Sequence, residues 1–179
     1  FAEAPGQHVG ISVVTLADAS KRVYVGDNSN DTVLTFSTAG VAGAPGPLFA
    51  AAPTLASGWG VSGVGGFVSG GADVAFGAYV GPGAIYRQSG ATITRLARGP
   101  LLDAPAGLVL TPCPTPKLVV ASTATGTLSV LDTCATADCA NATARQLLPG
   151  LGNPVGRAFD TTGAAPVLYV TDESLLAVF

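Results

Sequence analysis

Short apolar runs that alternate with small polar residues recur along the chain, in pairs divided by a polar turn. Arg22-Val-Tyr-Val-Gly-Asp27 leads to Thr32-Val-Leu-Thr-Phe36, Lys117-Leu-Val-Val-Ala-Ser122 to Thr127-Leu-Ser-Val-Leu131, and Val167-Leu-Tyr-Val-Thr-Asp172 to Leu175-Leu-Ala-Val-Phe179. A degenerate fourth copy is Asp73-Val-Ala-Phe-Gly-Ala78 followed by Gly83-Ala-Ile-Tyr86. A period of two, rich in β-branched and aromatic residues, reads as half-buried strand and carries almost no helix signal. Each pair therefore reads as a hairpin. Asp27-Asn-Ser-Asn-Asp31 is the turn of the first, because Asn and Asp tolerate left-handed backbone and bond their own main chain.

Anchored on Val23, Val74, Leu118 and Leu168, the copies are spaced by 51, 44 and 50 residues. Strands repeating at that interval predict an all-β fold, a β-propeller of about four blades with up to four antiparallel strands each. The predicted first strands are Gly10 to Leu16, the glycine-rich Gly60 to Phe67, Ala106 to Leu110 and Val155 to Asp160. Glycine there fits a crowded axis where strands approach closely. Outer strands are expected near Pro47-Leu-Phe-Ala50 and at Ala144 to Leu148. The chain is then one domain, 1–179, with repeats at about 8–50, 57–98, 104–149 and 153–179 plus 1–5. Phe1-Ala-Glu-Ala-Pro5 matches the end of the linkers between repeats, so the first residues are expected to complete the last blade and bring the termini side by side. Two other arrangements stay open: a segment of a larger ring, and completion by neighbouring copies.

Charge changes the picture. Charged residues make up 11% of the 179, against about 25% in ordinary domains, and the net charge is −3. No basic patch exists to neutralise phosphates, which excludes nucleic acid as a partner. From Thr32 to Ala72 there is no charged residue, yet Gly, Pro, Ser and Thr interrupt the stretch too often for a membrane span. Region 32–72 is expected to be covered by self-association or by another protein chain, the plainer alternative being Gly/Ala-rich strands with neutral loops. The chain starts at Phe1 and has no Met, as expected of a processed form or of part of something longer.

Candidate chemistry is sparse. Cys113, Cys134 and Cys139 have no Cys-x-x-Cys spacing and no nearby His, so a disulfide with one thiol left over is expected rather than zinc, the pairing being open. Asn30-Asp-Thr32 and Asn141-Ala-Thr143 are N-glycosylation sequons in expected loops. Thr111-Pro-Cys-Pro-Thr-Pro116 reads as an extended loop whose threonines are O-glycan candidates. His8, the single histidine, reads as a rim residue. Asp27 and Asp172 end equivalent strands and are expected to bond turn amides, with a place on one face of the ring as the alternative. Trp59, the single tryptophan, is expected between blades, or as a stacking platform for a ligand.

Val23-Tyr-Val-Gly-Asp-Asn-Ser-Asn-Asp-Thr-Val-Leu-Thr-Phe36, and Pro154-Val-Gly-Arg-Ala-Phe-Asp160 followed by Val167 to Asp172, resemble the NHL-type repeat and its relatives, among them the gluconolactonase family. That resemblance implies a propeller and, in its lactonase branch, a divalent cation at the central mouth held by Glu, Asn and Asp of the first strands. The family's Asn before the first-strand glycine corresponds here to Val9, Ala106 and Val155, which offer no ligand. The expectation is a non-enzymatic, extracellular or cell-surface scaffold, glycosylated, without cofactor or metal, and part of a protein assembly. The alternatives are a metal-dependent lactonase-like hydrolase and a carbohydrate or small-ligand binder.

Overall fold

The computed structural model describes residues 8–15, 19–27, 32–38, 61–66, 74–78, 83–89, 92–112, 117–132, 144–174 and 177–178. Fourteen strands occur among them: β1 His8–Thr15, β2 Lys21–Asp27, β3 Thr32–Ser37, β4 Val61–Gly66, β5 Val74–Ala78, β6 Ala84–Ser89, β7 Thr92–Arg98, β8 Pro105–Leu110, β9 Lys117–Ser122, β10 Thr127–Asp132, β11 Arg145–Leu148, β12 Pro154–Asp160, β13 Val167–Asp172 and β14 Ala177–Val178. No α-helix appears among the described residues; a single 3-10 turn covers Pro100–Leu102.

The strands form four antiparallel sheets in strict chain order, β1-β2-β3, β4-β5-β6-β7, β8-β9-β10-β11 and β12-β13-β14. The hairpins expected from the alternating runs are all present, and the register follows the pattern. Thr127 pairs with Ser122 and Asp132 with Lys117, so Leu118, Val120, Leu131 and Ser129 share one face while Val119, Ala121, Leu128 and Val130 share the other. Both faces of β9 and β10 in this third sheet are buried, while β11 is exposed.

The sheets stack on one another in sequence. Strand β1 packs against β4, β4 against β8, and β8 against β12, and no comparable packing joins β12 back to β1 among the described residues. One apolar cluster fills the gap between the second and third sheets: Ile85, Leu96, Ala97 and Leu102 meet Leu108, Leu118, Val120 and Leu131. A second fills the next gap, where Ala121, Leu128 and Leu151 meet Val170 and Leu168. Burying a Leu or Val side chain contributes roughly 1.5 to 3 kcal/mol, so these interlayers hold the stack together.

Linkers repeat as faithfully as the sheets. The Thr123 amide donates to Ala104 O, and the Glu173 amide to Asn153 O, both at 3.0 Å, tying each second strand's end to the residue before each first strand. Ala104 takes φ 49, an uncommon conformation for a side chain with Cβ, and its carbonyl accepts from Thr123 Oγ1 as well. The incoming linker also crosses the preceding sheet's central hairpin: Leu151 N–H donates to Gly126 O at 2.9 Å. Gly126 has φ 59, and a Cβ there would meet Leu151 O. Gly83 stands in the same relation to Leu102 O one repeat earlier.

Four points extend or adjust the reading from sequence. Strand β7 is a full outer strand that the alternating pattern did not single out. Strands β8 and β12 begin one residue earlier than expected, on Pro105 and Pro154, where a first-strand position has no need of an amide donor. Strand β14 covers Ala177–Val178 of the expected run Leu175 to Phe179, the rest of which lies outside the described residues. The edge expected near Pro47 and the terminal pairing of Phe1 to Pro5 lie outside the described residues.

Candidate functional site

The four first strands share one irregularity. Each carries one extra residue relative to its partner, between His8 and Ile11, Val61 and Val64, Pro105 and Gly107, and Pro154 and Arg157. Each of these bulges takes in a dipeptide ending in glycine: Val9-Gly10, Ser62-Gly63, Ala106-Gly107 and Val155-Gly156. A bulge bends its strand and re-aims a side chain, which makes the repeated bulge the place to look for chemistry.

At the third and fourth sheets the bulges touch. A Cβ on Gly107 would collide with the Arg157 guanidinium and with Val155 O, so the absence of a side chain is what lets β12 lie against β8. The Gly156 amide donates to Thr171 Oγ1 at 2.9 Å. Arg157 reaches across the seam: Nη2 donates to Leu108 O and Nη1 to Val155 O, while Nε is buried without a hydrogen-bond partner among the described residues. Desolvation pushes the guanidinium down to about 9, so it remains cationic at neutral pH.

Beside the seam, Asp172 is buried at the end of β13. Its carboxylate accepts N–H bonds from Gly152 at 2.6 Å, Asn153 at 3.0 Å and Ser174 at 3.0 Å, uniting the linker into the fourth sheet with that sheet's own hairpin. A carboxylate that accepts three amides acts as a structural clamp. The turn-bonding role expected of Asp172 is therefore present, with the linker amides added to it. Asp27 is buried at the matching end of β2, across from His8 in the β1/β2 register. In the third sheet the matching residue is Ser122, whose buried Oγ has no hydrogen-bond partner among the described residues.

Elsewhere, Asp160 is held below the ordinary carboxylate range by the Thr162 amide at 2.8 Å and then by Thr162 Oγ1 at 2.7 Å. Burial raises the Tyr86 phenol, with the charges of Arg95 and Arg98 offsetting part of that rise.

The remaining sequence candidates are not brought together here. Asn30, Asn141, Cys113, Cys134, Cys139 and Trp59 lie outside the described residues, as does most of 32–72. Among the described residues there is no group of three or more His, Cys, Asp or Glu able to hold a metal ion, and no helix is long and apolar enough to cross a membrane. Arg157 is the functional-looking residue that sequence reading passed over; its signal was a lone charge inside an otherwise apolar first strand. A scan against protein-family models and a search of curated proteins both return no match to this chain.

Proposed function

We propose that the chain is a set of β-propeller blades that serves as a non-enzymatic extracellular or cell-surface scaffold, N-glycosylated at Asn30 or Asn141 and built into a larger protein assembly. The blade reading is supported by repetition at every level: sheets in chain order, first strands packed in succession, and a bulge at the same place in each.

The observation that carries the scaffold reading is the chemistry of the seam between first strands. A lactonase-type cation would need several converging oxygen ligands, yet Ala106 and Val155 offer no side-chain donor and Arg157 brings a positive charge to the same place. The residues do not fit a divalent cation.

Two measurements test this reading. The chain secreted from a eukaryotic host is expected to hydrolyse aldonolactones no faster than buffer in the presence of Ca²⁺, Mn²⁺ or Zn²⁺, and cation-dependent turnover would overturn the scaffold role. Its intact mass is expected to fall on enzymatic removal of N-glycans, and an unchanged mass would refute glycosylation at both sequons.

A further inference from the structure

The stack of sheets has a direction. The face of the third sheet that carries Ala121 and Leu128 packs on the face of the fourth that carries Leu168 and Val170. The second sheet's face with Ile85 likewise packs on the third sheet's face with Leu118 and Val120. In both gaps the same two surfaces meet, the following face of one sheet and the preceding face of the next. Each end of the array is consequently left with one face of a matching pair.

At the start of the chain, the middle of the first sheet's preceding face is apolar, flanked by Lys21 at one end and the buried Asp27 at the other. The register puts Ile11, Val13, Val23, Val25, Leu34 and Phe36 side by side. Ile11 is 67% exposed and Val13 57%. At the other end, the following face of the fourth sheet presents Tyr169 at 45% and Val167 at 48% exposure. Counting back from Asp27, Ser122 and Asp172, the residues equivalent to Tyr169 are Tyr24 and Val119. Both are buried, at 2% and 1% exposure. Tyr169 sits in the same pattern but is 45% exposed.

We infer that these two terminal faces bind each other between copies: the Val167/Tyr169 face of one chain seats on the Ile11/Val13 face of a second copy. The argument is continuity with the interfaces already inside the molecule, since a second copy offers the same following-to-preceding geometry that buries Val119 and Tyr24. Closure within one chain would cover Ile11, Val13 and Tyr169, which are open. Such a contact is heterologous, and two copies closing on each other would form one ring of eight sheets, within the range propellers occupy. The inference rests on the blade reading and gives the expected self-association a surface distinct from most of 32–72.

Light scattering of the full chain over a range of micromolar concentrations supplies the test. The expected mass is twice the 17.6 kDa of one chain before any glycan. Val13→Glu and Tyr169→Glu are each expected to halve it while far-ultraviolet circular dichroism stays unchanged. Leu147→Glu, at an exposed apolar position on β11 away from both faces, is expected to leave the mass of the dimer intact. A monomeric wild-type chain would overturn the inference, as would an assembly that survives both face variants. In either case the scaffold reading still stands or falls on the lactone assay.

Discussion

A carboxylate that gathers three amides does more for this fold than its single charge suggests. Replacing Asp172 with Ala leaves the Gly152, Asn153 and Ser174 amides without their acceptor, and the expected loss is about 3 kcal/mol of unfolding free energy in urea titrations. The matching Ser122 has a buried hydroxyl that bonds nothing among the described residues, so Ser122→Ala is expected to raise stability by about 1 kcal/mol. Equal effects at the two positions would refute the clamp. Asp160 tests the same physics by pH. Its folded-state pKa is depressed, so its contribution is present above the unfolded carboxylate value, about 3.9, and is lost as pH falls through the lower folded value. Thermal unfolding should therefore show a gap between wild type and Asp160→Asn at pH 6 that closes below about pH 4; a gap independent of pH would contradict this origin.

At the scale of elements, the hairpin between β9 and β10 is tied to the next linker by a backbone hydrogen bond as well as by packing of Leu151. Gly126 combines φ 59 with a carbonyl where Cβ would sit, so Gly126→Ala is expected to cost about 2 kcal/mol, read as a lowered melting temperature. An unchanged melting temperature would mean the Leu151 linker does not cross there. Most strands were legible because alternation at period two survives in Val23 to Phe36, Lys117 to Leu131 and Val167 to Asp172. Strand β7 was harder to see because Arg95 and Arg98 interrupt its apolar run, and charge on an outer strand weakens the signal that burial normally leaves. The bulges were half legible: the glycine of each first strand stands in the sequence, but the extra residue becomes visible only against its partner strand. Arg157 was illegible for a similar reason, since one of its two carbonyl acceptors, Leu108 O, lies on a strand nearly fifty residues away.

For the whole molecule, the repeat spacing anticipated an all-β propeller of about four blades, and the structure shows the all-β part of it, strands in small antiparallel sheets with no ring closed among the described residues. What spacing alone does not carry is the order of faces, because that depends on which side of each sheet its neighbour covers. The central claim is that neighbouring repeats pack as successive layers, following face on preceding face. Methyl–methyl NOE spectroscopy on Ile/Leu/Val-labelled protein tests it most directly. The predicted result is cross-peaks linking Ile85 with Leu108 or Val120, and Leu128 or Leu151 with Val170. Their absence, with cross-peaks instead joining Ile85 to Val170, would show a different stacking and contradict the account.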